Sequence, residues 1–262
     1  MKTLTIKKIV SGLVFVLGLN GSLLADKITV FAAADLRFAL DEVKKEFLKT
    51  NQNHELEMIY GSSGKGMHQI ENGAPYDLYF SANEEFVEKL YKEGYVIEPS
   101  KLYAVGRVVL WSKNPNFDEK KGFENLKEPW VKKIAIANPT HAPYGEKAQQ
   151  AMEGLGIYKD IESKLVLGEN ISHTAQFIES GAADIGVIAL SLALAPTIAQ
   201  GTNPDYYLID YKLHQPLLQG YTITKNAKDN SLARDFYNYI NTDKAKEILK
   251  QFGFDIPADM KK

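Results

Sequence analysis

The chain has 262 residues, with 31 Lys and Arg against 33 Asp and Glu, 45% hydrophobic residues and no Cys. This is the composition of a globular fold of one large or two smaller domains, and the lack of Cys excludes disulfides, thiolate metal sites, iron–sulfur clusters and thiol catalysis. A formal net charge of −2 argues against nucleic acid as a partner, which selects a clearly basic surface.

Lys2, Lys7 and Lys8 precede an apolar run over 9–19, and Ala25 closes the segment before Asp26. A positive start, a short apolar core and a small residue at the cut make residues 1–25 a signal peptide. The run is shorter than the roughly 20 residues that span a bilayer, and no Cys follows for lipid attachment. Removing these three lysines lowers the basic count from 31 to 28 against 33 acidic residues, net −5. A soluble, exported protein of a Gram-negative periplasm is expected.

Short apolar runs then alternate with helical spacing. A buried strand is expected over 28–33, followed by a helix carrying Leu36, Leu40, Val43 and Phe47. Strand 56–60 leads to a short helix with Met67 and Ile70. Strand 77–80 leads to a helix with Phe86, Val87, Leu90 and Tyr91, closed by Gly94. A β-rich run over 105–111 leaves this first unit. A second unit starts with strand 134–137 and a helix carrying Ala148, Met152 and Leu155. Strands 165–167 and 185–188 flank a helix with Ile171, Ala175 and Ile178. Strand 220–224 and two helices, one with Leu232, Phe236 and Ile240, the other with Ala245, Ile248 and Leu249, close the chain.

Strand–helix alternation implies parallel sheets covered on both faces. Two α/β units with no flexible boundary are reconciled if the chain crosses between lobes twice, near 108–114 and 216–224. Lobe I then comprises 26–107 plus 217–262 and lobe II 108–216. The ligand belongs in the cleft, at the carboxyl ends of the strands.

Four strand–helix junctions share one design: the turn at Asp35, Gly61-Ser62-Ser63-Gly64, the stretch from Asn138 to Gly145, and Gly168-Glu169-Asn170 before Ile171. The first N–H groups of a helix lack partners and carry the positive end of its dipole. Several such ends aimed at one point bind an anion without Lys or Arg; ordinary capped turns would read the same way. Other motifs fail. Residues 61–66 lack the glycine spacing and the Ser or Thr of a P-loop, Lys65 breaks a Gly-x-Ser-x-Gly elbow, and His54, His68, His141, His173 and His214 show no metal-ligand spacing.

The junctions resemble those of periplasmic molybdate-binding proteins. The likeness runs from residues 29–36 (TVFAAADL) through 60–64 (YGSSG), 69–78 (QIENGAPYDL), 138–145 (NPTHAPYG), 168–171 (GENI) and 181–187 (GAADIGV) to 252–254 (FGF). It implies an α/β type II periplasmic binding protein, two Rossmann-like lobes joined by two crossovers, serving as the substrate-binding subunit of an ABC importer. It implies molybdate, and usually tungstate, held by hydrogen bonds alone, with no cofactor, no metal ligated directly and no catalysis. The partners so implied are the oxyanion and the membrane permease subunits, and a monomer is expected. By position, Ser63 supplies its hydroxyl and N–H, Tyr144 and Ile171 supply N–H groups, and Asp35 falls where many members have Ser. Ala189 stands where some members place a Tyr whose hydroxyl reaches the ligand. A carboxylate facing a dianion is costly, so Asp35 is expected to turn away and cap its helix through the N–H of Arg37 or Phe38. Tyr144, if its ring folds into the cleft, is a candidate to replace the missing hydroxyl. The alternatives are an iron(III)-binding protein using Asp35, His141 and Tyr144, and a binder of another oxyanion such as sulfate. An exported hydrolase built on Ser63 has no visible base.

Overall fold

The computed structural model describes residues 26–199 and 205–257. The expected signal peptide, residues 1–25, lies outside the described residues.

Two five-stranded sheets organise the chain. The first contains β1 (Lys27–Ala33), β2 (Glu55–Gly61), β3 (Leu78–Ser81), β4 (Lys101–Gly106) and β10 (Leu217–Ile223), in the order β2-β1-β3-β10-β4. The second contains β5 (Val108–Trp111), β6 (Ile134–Ala137), β7 (Leu165–Gly168), β8 (Ile185–Ala189) and β9 (Tyr206–Leu208), in the order β7-β6-β8-β5-β9. Helices α1 (Arg37–Leu48), α2 (Ser63–Glu71), α3 (Glu84–Lys92), α9 (Ser231–Tyr239) and α10 (Asp243–Gln251) accompany the first sheet. Helices α4 (Pro143–Gly154), α5 (Tyr158–Ile161), α6 (Ile171–Glu179), α7 (Leu190–Ala193) and α8 (Pro196–Ala199) accompany the second.

Both sheets are mixed, where strand–helix alternation predicts parallel ones. β1 runs parallel to β2 and β3, and β6 parallel to β7 and β8. β10, however, pairs antiparallel with β3 and β4, and β5 antiparallel with β8 and β9. The reason is the crossing between sheets. The β-rich run expected over 105–111 is two strands: β4 ends at Gly106, β5 begins at Val108, and Arg107 alone separates members of different sheets. The chain returns to the first sheet as β10, which fills the place beside β3.

Each sheet has its own apolar core, because its central strands, such as β3, β6 and β8, are buried on both faces. Ile28, Val30, Leu78, Phe80, Tyr221 and Phe236 meet in the first. Val109, Leu110, Ile134, Ile136, Ile185 and Val187 meet in the second. That second core extends over the cleft to Ala33, Ala34 and Ala82 of the first sheet, so the lobes meet through apolar surface as well as polar contacts.

Candidate functional site

Four helix starts converge between the lobes. They follow β1, β2, β6 and β7, the same two strand positions of each sheet. From the first lobe come Ala34 and Asp35, in a short 3-10 turn before α1, and Ser62 and Ser63 at the start of α2. From the second come Ala142, Pro143 and Tyr144 at the start of α4, and Asn170 and Ile171 at the start of α6. All of them line one cavity, together with Ala33, Gly61 and Ala82. The cavity is small, about 10 Å³, far below the roughly 300–1,000 Å³ of pockets that take drug-sized ligands.

Asp35, Ser63, Tyr144 and Ile171, the four residues singled out from sequence, all line this cavity. Ser63 is buried; its Oγ accepts from Ala82 N–H at 2.9 Å, and its carbonyl accepts from the Tyr79 hydroxyl at 2.6 Å. The backbone of α2's first residue is therefore fixed, and the Ser63 hydroxyl proton meets no acceptor among the described residues. Ile171 follows Asn170, whose side chain caps α6 by accepting from His173 N–H at 3.0 Å. The Gly168-Glu169-Asn170 turn is the sequence signal for this cap.

Asp35 corrects the sequence expectation. Its side chain does not cap α1: the residue before α1 is Leu36, with no side-chain cap, and Asp35 is only 1% exposed. Its Oδ2 accepts from the Tyr144 hydroxyl at 2.9 Å and from Gln219 Nε2 at 2.8 Å. Gln219 in turn accepts from the Tyr103 hydroxyl at 2.7 Å. A long-range pair of donors prevails over the local cap because the buried carboxylate must be satisfied and the turn at 34–36 directs it inward. Burial raises the Asp35 pKa to about 6, against the lowering effect of Gln219, Tyr144 and the backbone at Asp35 and Leu36. Burial, and then the Asp35 charge, hold Tyr144 far above the usual phenol range, so Tyr144 stays a donor. The site is thus not lined by donors alone. Gln219 was missed from sequence, where the strand was expected only from 220; it is fully buried in β10, and a buried polar residue needs a reason.

Contacts between lobes surround the cavity. Ser172 Oγ donates to the Ala34 carbonyl at 2.9 Å, and Ser191 Oγ to the Asp35 carbonyl at 2.8 Å. Gly64 N–H donates to the His141 carbonyl at 3.0 Å. A Cβ on Gly64 would lie 2.7 Å from that carbonyl oxygen, so only glycine permits this approach. Ser62 Oγ donates to the same carbonyl at 2.5 Å and sits 2.8 Å from His141 Nδ1. The serine has one proton to give, so Nδ1 carries the hydrogen of the second bond. Burial, and then Lys65, lower the His141 pKa, consistent with a neutral ring. Lys65 Nζ and Glu169 pair at 3.0 Å across the cleft mouth.

Ala189 ends β8, fully buried, and does not line the cavity; two residues on, Ser191 makes the contact to Asp35. The iron(III) alternative needs Asp35, His141 and Tyr144 as a ligand cluster. Tyr144 instead donates to Asp35, and His141 pairs with Ser62. Among the described residues, no group of three or more His, Asp or Glu is placed to hold a metal ion.

Comparison with known proteins agrees with this architecture. Residues 28–255 match the family described as bacterial extracellular solute-binding protein. The chain is 33% identical to the molybdate-binding protein ModA of Azotobacter vinelandii over 88% of this chain and 90% of that one. It is 30% identical to ModA of Rhodobacter capsulatus, over 95% and 96% respectively. The solved structure of the Azotobacter vinelandii periplasmic molybdate-binding protein superposes with a TM-score of 0.82 at 30% identity, covering 88% of this chain and 99% of that one. With two mixed sheets, two lobes and a cleft built from helix starts, the chain belongs to the bacterial extracellular solute-binding proteins, in the family of the ModA proteins.

Proposed function

We propose that this protein captures molybdate, and with it tungstate, in the periplasm and delivers the anion to the membrane permease subunits of an ABC importer. The observation that carries this reading is the convergence of four helix starts on one small cavity between two lobes. The names of the similar ModA proteins support the choice of anion.

Molybdate at neutral pH is a tetrahedral dianion with four acceptor oxygens and no proton. The backbone N–H groups of Asp35, Ser63, Tyr144 and Ile171 and the hydroxyl of Ser63 are the donors assigned to it. Each N–H lies at or beside a helix start, where the dipole adds to the hydrogen bond. No bond is made or broken, so the act is binding and release. Sulfate has the same charge and shape but shorter bonds, and a smaller anion cannot touch every donor at once. Closing the lobes over the anion joins surfaces of both into one face, which permease subunits can read. With a net charge of −5 once residues 1–25 are removed, long-range attraction does not help, so affinity rests on these local donors.

Titration calorimetry of the protein beginning at Asp26, with molybdate, tungstate, sulfate and phosphate in turn, tests this. Heat from both metalates and little from the other two is the expected result. A protein silent to metalates but responsive to sulfate, or coloured by iron(III), overturns it.

A further inference from the structure

Asp35 lines the cavity and is almost fully buried, with its carboxyl held by Tyr144 and Gln219. The groups acting on it are Gln219, Tyr144 and the backbone at Asp35 and Leu36, and none of them carries positive charge. From the elements packed around it, α4 presents Tyr144, β10 presents Gln219, β4 presents Tyr103 and α7 presents Ser191 to its carbonyl. His141, the titratable residue next to the lining residue Ala142, is engaged by Ser62 and acted on by Lys65 and Glu169. A dianion entering this space meets a buried carboxylate with no counter-charge among the groups that act on it. Repulsion of this kind is relieved by a proton, as in carboxylate pairs that share one site.

We propose that Asp35 is the proton-linked residue of the site: when a dianion is captured, its carboxyl takes up one proton from solution, and the resulting O–H donates to the bound oxyanion. The unprotonated residue is an acceptor in a cage of donors; the protonated residue becomes one more donor. This rests on the oxyanion reading above. It adds that capture is coupled to pH, that the bound complex carries one negative charge fewer than its parts, and that Asp35 serves where a serine hydroxyl would otherwise donate. The proton comes from bulk water on capture and returns there on release. Because the free carboxyl titrates near 6, the protein is mostly unprotonated at neutral pH, so uptake is observable there.

The test is titration calorimetry with sodium molybdate at pH 7.5 in three buffers of different ionisation enthalpy, repeated between pH 6 and 8.5. About one proton taken up per anion is expected, with Kd rising roughly tenfold per pH unit above 7. Asp35→Asn, shaped like the neutral acid, is expected to bring the count near zero and flatten the pH profile. Clear molybdate heat with a wild-type count near zero overturns the proposal and leaves the oxyanion reading standing. A count kept by Asp35→Asn but lost in His141→Gln moves the proton to His141 and also overturns it. Hydrogen phosphate brings its own proton; if it binds more tightly than molybdate with no uptake, Asp35 is an acceptor for protonated ligands and the proposal fails. If Asp35→Asn does not fold, the wild-type count and slope still decide. No heat from molybdate under any condition sinks the oxyanion reading itself.

Discussion

The Tyr144 hydroxyl reaches from the second lobe to Asp35 Oδ2 in the first, at 2.9 Å, and both residues are buried. This bond is a tie between lobes as well as a partner for the carboxylate. Gln219 Nε2 donates to the same oxygen and lies 3.1 Å from the Tyr144 hydroxyl, so the three side chains form a closed triangle, two of whose members, Asp35 and Tyr144, line the cavity.

Tyr144→Phe removes one corner. Asp35 keeps Gln219 but loses a donor to a buried carboxylate, worth about 1.5–3 kcal/mol for a hydrogen bond to a charged group. The closed arrangement is expected to weaken, with molybdate affinity falling about tenfold or more by calorimetry. Unaltered affinity would show that the hydroxyl does not support closure.

Gly106→Ala attacks the same triangle from the backbone. A Cβ at Gly106 would overlap the Tyr144 hydroxyl and lie 2.6 Å from Gln219 Nε2. Both atoms end side chains, but both are held in buried hydrogen bonds, so neither can swing away freely. Overpacking of this kind costs about 1–3 kcal/mol. The expected outcome is a lower Tm and weaker molybdate binding together. A variant with wild-type Tm and affinity would mean the triangle re-forms around the methyl group.

The four junctions were legible because a helix start is a local feature: Gly-Ser-Ser-Gly, Pro-Tyr-Gly and Gly-Glu-Asn announce turns within a few residues. Strand direction was not legible, since pairing is decided by distant segments. Residues 105–111 look like one β-rich stretch, yet Arg107 divides them between sheets, and only the partners β10 and β8 determine that. The fate of Asp35 failed for the same reason. Its local option was a cap two or three residues away, whereas Gln219, its partner, lies 184 residues along the chain. Position alone could not weigh a helix cap against a donor so distant in the chain.

Asp35 also sets a pH dependence of stability. Its folded pKa, about 6, lies above the ordinary value of 3.8, so the native state holds its proton more tightly than the unfolded chain. The contribution is fully present below pH 3.8 and is lost as pH rises through about 6; over that interval it amounts to about 3 kcal/mol. Urea unfolding should therefore show Asp35→Asn gaining stability relative to the wild type between pH 4 and pH 7.5. A difference that stays constant over this range would place the carboxyl in a solvated environment.

Ser62 and Ser63 are adjacent but do different work, and their alanine variants should separate. Ser62 Oγ engages His141 across the cleft, so Ser62→Ala loosens the contact between lobes and leaves the oxyanion donors in place. Ser63 Oγ accepts from Ala82 N–H within its own lobe, and Ser63 lines the cavity. Ser63→Ala removes a ligand donor and strands a buried N–H, which costs about 1–3 kcal/mol. Loss of one such donor should lower molybdate affinity about ten- to hundredfold, with a fall in Tm in the ligand-free protein. Ser62→Ala should instead show a smaller loss of affinity and a larger radius of gyration by small-angle scattering with molybdate bound. If the larger loss of affinity falls on Ser62, the hydroxyl that meets the anion has been assigned to the wrong serine.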